Sequence, residues 1–156
     1  MNKSARFSII TATIGLATVC AGTWSAEAAP YTQTDLVSDV AGLASITDPA
    51  LQNPWGLTST STSPFWIADQ ISSQTNLWAV TGGTNVSKVT AVNPPTGNIA
   101  IPPGSGPQQG PTGAVANTNT SAFAIGGGGN GGSAHFIFAN ENGSISAWDT
   151  GATAFT

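Results

Sequence analysis

Asn53-Pro54-Trp55-Gly56-Leu57, followed by Phe65-Trp66-Ile67-Ala68-Asp69 and then Leu77-Trp78, is a pattern that this chain contains twice. The second occurrence is Pro111-Thr112-Gly113-Ala114, then Phe136-Ile137-Phe138-Ala139-Asn140, then Ile145-Ser146-Ala147-Trp148. Each consists of a turn, a short apolar strand closed by an Asx residue, a polar turn, and a second strand ending on tryptophan. Those are the ingredients of one β-propeller-like blade, a unit that cannot bury both faces alone and needs a neighbour.

Working outward, Gly82-Gly83 ends the first hairpin, and Val86, Val89 and Val92 suggest a third strand beside it. Residues 93–110 hold five prolines interleaved with glycine. Proline donates nothing to a ladder, so an exposed connection is expected there, with one short extended piece at Ile99–Ile101. Ala114–Ala116 and Ala122–Ile125 read as further short strands, and Tyr31–Val40 as an extended segment. Asn142-Gly143 is expected to supply the positive φ angles of a tight hairpin turn. No stretch beyond residue 30 shows a helical apolar period. The expected fold is all-β, with blade-like units at 53–92 and 111–149 joined by the Pro/Gly-rich connection 93–110.

Pro54 and Pro111 are 57 residues apart and Phe65 and Phe136 are 71 apart, so the second unit carries an insertion, to which the glycine run at 126–132 belongs. Propeller blades run about 40–50 residues, and about four to eight close a ring. The expectation is therefore about two blades of a larger, unclosed propeller. A small two-sheet sandwich is the competing reading of the same hairpins.

The first 29 residues read as a cleaved signal peptide. Lys3 and Arg6 form a positive start, Phe7–Gly22 is largely apolar, and Ala26-Glu27-Ala28 offers a small-x-small cleavage site. Cys20 invites a lipoprotein reading, but Val19 stands where a lipobox wants a small residue. The expected location is secreted or periplasmic.

Charged residues are 6% of the chain, and beyond residue 30 a single cation, Lys88, faces six carboxylates. Such an acidic domain cannot neutralise phosphates, which argues against nucleic acid, and it is equally unsuited to anionic membranes. No cysteine remains after residue 29, so packing rather than disulfides must hold the fold.

The residues Tyr31–Asp39, Asn53–Leu57, Pro64–Asp69, Pro111–Gly113, Phe136–Ala139 and Gly143–Trp148 resemble an uncharacterised family of exported bacterial proteins, some associated with the PEP-CTERM sorting system. They are similar, more loosely, to NHL repeats. The resemblance spans nearly all of the chain beyond the signal peptide. It implies a portion of a longer propeller, a truncated gene or fragment, and brings no catalytic residue with it.

Several constellations invite chemistry. Gly126–Gly131 satisfies G-x-G-x-x-G, but a strand follows it where a nucleotide site needs a helix. His135 is the only histidine and has no nucleophile elbow, so a structural or surface role is expected. Asp69 and Asn140 occupy matching hairpin positions, as do Gln70 and Glu141. Asp69, Asn140 and Glu141 are thus the ligand-binding candidates, with calcium the one cofactor their oxygens suggest. The competing reading has the Asx residues bonding to their own turns. Trp55, Trp66, Trp78 and Trp148 suggest either a sugar-stacking surface or packing between blades; the core is the expected place for Trp66.

Together these features point to an exported binding or scaffolding module with an unidentified extracellular or periplasmic ligand; they lean away from an enzyme without deciding the question. A metal-dependent hydrolase of lactonase or esterase type in a longer form, and a non-functional remnant, are the alternatives.

Overall fold

Proline, glycine and asparagine cut this chain so often that no strand among the described residues exceeds eight residues. The computed structural model describes residues 31–90, 95–102, 110–126 and 132–156. Contacts divide the chain into Met1–Thr32 and Gln33–Thr156, and the structure below is that of the second part. The signal-peptide reading and most of the glycine run lie outside the described residues.

The described residues form ten strands: β1 (Val37–Ser38), β2 (Ile46–Thr47), β3 (Pro54–Thr58), β4 (Phe65–Asp69), β5 (Gln74–Thr81), β6 (Asn85–Lys88), β7 (Asn98–Ala100), β8 (Pro111–Ala116), β9 (Phe136–Asn140) and β10 (Ile145–Trp148). Among the described residues there is no helix, so the fold is all-β. Three sheets form and none closes: parallel β1-β2, the meander β3-β4-β5-β6 with β7 also on β5, and the meander β8-β9-β10. An antiparallel bridge from Ala147 to Phe155 continues the second meander outward.

The two meanders share a ladder. In the first, Pro54 pairs with Asp69 and Gly56 with Ala68, with a bulge between Pro54 and Gly56. In the second, Pro111 pairs with Asn140 and Gly113 with Ala139, with a bulge between Pro111 and Gly113. Proline at the first position of each edge strand has no N–H to offer, so a bulge there costs no ladder bond. On the far side, Phe65 pairs with Trp78 and Phe136 with Trp148. The outermost bond recurs too: Val89 N donates to Leu77 O at 3.0 Å, and Phe155 N to Ala147 O at 2.8 Å.

The core lies between the two meanders. Trp66, Ala68 and Leu77 of the first meet Phe136 and Phe138 of the second, with Ile99, Ile101 and Ala154 alongside. The Trp66 ring stacks on Phe136 at 4.0 Å between centroids, 20° from parallel, and lies 4.7 Å from Trp148. Successive strand residues point to opposite faces, so the buried set has a definite parity. By register Phe65 corresponds to Phe136 and Trp66 to Ile137. The first meander buries Trp66 here, whereas the second buries Phe136. Opposite faces of the two meanders therefore meet.

The inner strands touch backbone to backbone. A Cβ on Gly56 would lie 2.7 Å from Ala114 N and 3.0 Å from the Gly113 carbonyl carbon, so no side chain fits. Ala116 N donates to Thr58 Oγ1 at 3.0 Å across the same seam.

Four expectations need correction or narrowing. The short extended piece expected at Ile99–Ile101 is present as β7, Asn98–Ala100, but it is not exposed: β7 pairs with β5, and Ile99 and Ile101 are fully buried. At eight residues, β5 is long enough to hold β6 and β7 end to end, and the prolines flank β7 rather than interrupt it. Ala122–Ile125 is no strand, since Phe123 takes φ 57° and leaves only the bridge Ala124–Ser133. At the β9–β10 turn only Gly143 has positive φ, at 84°. Asn142 instead accepts from Ser144 N at 3.0 Å through its side chain. Of the segment Tyr31–Val40, only Val37–Ser38 pairs as a strand.

Candidate functional site

Asp69 closes β4 and is wholly buried. Its Oδ2 accepts a hydrogen bond from Asn76 Nδ2 on β5, and its Oδ1 has no partner among the described residues. Asn76 Oδ1 accepts from Lys88 Nζ on β6 at 2.7 Å, and Lys88 forms an ion pair with Asp48. The ammonium also lies 5.1 Å over the Trp78 ring. Asp48 belongs to the segment before β3, which is tied down at its next turn. The Ala50 carbonyl accepts from Ser72 Oγ at 3.2 Å, Gln74 Nε2 at 3.3 Å and Asn76 Nδ2 at 3.4 Å.

Burial drives the Asp69 carboxyl up to about 8; the Asn76 hydrogen bond opposes this, Asp48 adds to it, and Lys88 opposes it. At neutral pH, in the absence of a cation other than Lys88, the group is mostly a neutral acid. Among the described residues no group of three or more His, Cys, Asp or Glu is gathered for a metal.

Asn140 holds the matching place in the second meander. Its Nδ2 donates to Ser146 Oγ at 2.8 Å, the register counterpart of the Asp69–Asn76 bond, and to Ser144 Oγ at 3.0 Å. Asp69 and Asn140 thus each bond within their own hairpin. The two turns are linked instead by Gln70 Nε2, which donates to Glu141 Oε2 at 2.6 Å. Asn53 Nδ2 in turn donates to Gln70 Oε1 at 3.1 Å. His135 is exposed, with its ring 6.1 Å from Trp148. Among the tryptophans of the described residues, Trp66 and Trp78 are buried, Trp148 is half-buried and Trp55 is exposed.

Sequence reasoning missed Asp48, Asn76 and Lys88 as a cluster. The available signal was Lys88, the sole cation beyond residue 30 in an acidic chain, since an isolated charge in such a chain tends to be held by a partner.

Two apolar hollows lie on the sheet faces. On the first meander, a groove of about 740 Å³ is lined by Leu57, Phe65, Ile67 and Val80 of the sheet and by residues 33–38, Leu43 and Leu51 of the segment before β3. Leu57 is 64% exposed there. On the second meander, Ile137, Ile145 and Ala147 line a shallower hollow with Phe123 and Phe155. Ile145 is 58% exposed. Isolated surface hydrophobes are ordinary, whereas grouped ones on a sheet face mark an interaction surface.

Comparison with family models, curated proteins and solved structures finds no match to this chain.

Proposed function

We propose that the protein is an exported binding or scaffolding module of propeller type, two blades in extent, whose working surfaces are its open sheet faces. The observation that carries this reading is the parity of the packing. A two-fold sandwich brings equivalent faces together, whereas stacked blades bring one face of each against the other face of the next. Here Trp66 of the first meander meets Phe136 of the second, and their register counterparts, Ile137 and Phe65, point outward. The shared Pro-x-Gly bulge and the seam at Gly56 support the same reading, since inner strands of adjacent blades approach most closely.

Export rests on the amino-terminal segment, and membership of the PEP-CTERM-associated family rests on the Asn53–Leu57 and Phe136–Trp148 motifs. Expressed with its leader in a bacterial host, the chain is expected in the periplasm or medium, beginning near residue 30 by amino-terminal sequencing.

Binding through the faces is tested with anilinonaphthalene sulfonate on dilute protein. The dye is expected to bind, with Leu57→Asp and Ile145→Asp each removing part of the signal. No dye binding by a cooperatively melting protein contradicts the reading. Metal-dependent turnover of an ester or lactone, lost in Asp69→Asn, favours the hydrolase instead.

A further inference from the structure

We infer that Lys88 and Asn76 join covalently: the lysine Nζ displaces the side-chain amide nitrogen of the asparagine, leaving an isopeptide bond between β6 and β5 and releasing ammonia. The inference rests on the cluster of Asp48, Asp69, Asn76 and Lys88 and is independent of the two-blade reading.

The register of the sheet sets the reactants side by side. Asn76 and Trp78 are two apart on β5 and share a face, and Lys88 pairs with Trp78, which makes it the diagonal neighbour of Asn76 on that face. Asp69 pairs with Gln74, two residues before Asn76, and so belongs to the same face. Three adjacent strands thus bring an amine, a carboxamide and a carboxylic acid into one row. Lys88 Nζ lies 2.7 Å from Asn76 Oδ1. A carbonyl bond is about 1.2 Å long, so Asn76 Cγ is within about 4 Å of the amine. Attack needs roughly 3–3.5 Å. A small swing of the lysine stem carries Nζ from the oxygen onto the face of the carbon.

Each step has its group in place. An ammonium has no lone pair to attack with, and the Asp48 carboxylate, ion-paired with Lys88, accepts the proton that frees one. Asn76 Nδ2, the atom that leaves, donates to Asp69 Oδ2. Burial keeps the Asp69 carboxyl protonated at neutral pH, and its Oδ1 has no partner among the described residues to compete for that proton. Nζ adds to Cγ, and Asp69 protonates Nδ2 as the Cγ–Nδ2 bond breaks. The carboxylate left on Asp69 takes back the surplus proton from Nζ. The departing ammonia carries off the proton held by Asp48, so one ammonium is exchanged for another and no oxidant or cofactor is consumed. Asp69 and Asn76 are fully buried, which keeps water from competing for Cγ. The product gives a chain without cysteine beyond residue 29 a covalent tie between strands, and its amide N–H stays beside Asp48.

Lys88 is the sole lysine or arginine beyond residue 30, so it is also the sole site there for trypsin, which does not cut after an acylated lysine. The test is intact-mass spectrometry of the purified full chain, with trypsin digestion in urea and chymotryptic peptide mapping. The wild type is expected to weigh less than its sequence by one ammonia and to stay uncut after Lys88. Its chymotryptic digest, cleaved at Trp78, should hold a branched peptide carrying both Asn76 and Lys88. Lys88→Arg, which keeps the charge but not the nucleophile, is expected to show the full mass. Asp69→Asn, checked for a cooperative melt, is expected to show the full mass and to be cut after Lys88. A folded wild type of full mass that trypsin cuts after Lys88 overturns the bond. So does an ammonia loss that mapping places at Asn142-Gly143 as a succinimide, with Lys88 still cut. A branched peptide formed equally in Asp69→Asn overturns the part given to Asp69.

Discussion

Gln70 and Glu141 occupy the same position in two successive hairpins, and the side chain of one is hydrogen-bonded to the side chain of the other at 2.6 Å. Each also donates its backbone N–H to the residue before its own Pro-x-Gly bulge: Gln70 N to Asn53 O at 3.3 Å, and Glu141 N to Gly110 O at 3.2 Å. The pair links the two meanders at the end of the seam that Gly56 opens.

A double-mutant cycle measures that link. Hydrogen bonds to charged groups contribute about 1.5–3 kcal/mol, but Glu141 is exposed and the gain is screened. Gln70→Ala and Glu141→Ala are expected to couple by about 0.5–1 kcal/mol in urea unfolding, and raised salt should reduce the coupling. Strict additivity would mean that the pair does not join the turns in solution.

The Trp66 ring sits between Phe136 and Trp148 and is 3% exposed. Truncating a large buried aromatic costs about 3–5 kcal/mol. Trp66→Ala is accordingly expected to abolish a cooperative transition or to lower its midpoint steeply, while Trp55→Ala, at an exposed position, changes it little. Equal effects of the two substitutions in a thermal melt contradict the assignment of the core.

How far the sequence could be read follows from which signals are local. The hairpins were legible because Phe65–Asp69 and Phe136–Asn140 are short apolar runs, each closed by an Asx residue and followed by a polar turn; the bulge after each proline was not read and comes from the ladders. Burial of Ile99 and Ile101 was not legible: proline density marks where a chain leaves a ladder, not how briefly it does so. Nor could the ion pair between Lys88 and Asp48 be read, since it joins residues 40 apart through the path of the segment before β3. The correspondence of Asp69 with Asn140, and of Gln70 with Glu141, was legible from the two hairpins. Their bonding, within each hairpin for Asp69 and Asn140 and across the turns for Gln70 and Glu141, depends on packing that no short pattern encodes.

Asp69 makes stability depend on pH. Its carboxyl is raised from 3.8 to about 8 in the folded chain, so between those values the folded state holds a proton that the unfolded state has lost. The contribution is fully present below about pH 4 and disappears as pH rises through 8, with a slope of up to about 1.4 kcal/mol per pH unit. Urea midpoints are expected to fall across that window. In Asp69→Asn, which keeps the shape without the titration, the slope should flatten. An equally steep dependence in that variant assigns the effect elsewhere.

Gly56 and Gly113 hold the same ladder position but differ in what lies beyond them. A Cβ at Gly56 strikes the backbone of Ala114 and Gly113, whereas one at Gly113 meets only Ala139 Cβ at an ordinary 3.7 Å. Gly56→Ala is expected to destabilise by several kcal/mol, and Gly113→Ala by no more than about 0.5 kcal/mol. Similar losses at both sites, read from urea midpoints, are incompatible with a single internal seam.

The stacking of the two meanders through their inner strands is tested most directly by a nuclear Overhauser effect between the Gly56 Hα protons and the Ala114 amide proton in the isotope-labelled chain. A Cβ position 2.7 Å from Ala114 N places the corresponding Gly56 hydrogen close enough for a strong cross-peak, and the structure predicts one. Intact cross-strand peaks within each hairpin, such as Leu57 to Ile67 and Ala114 to Phe138, without any peak between Gly56 and Ala114, would show two correct hairpins that are not stacked, and would contradict the account.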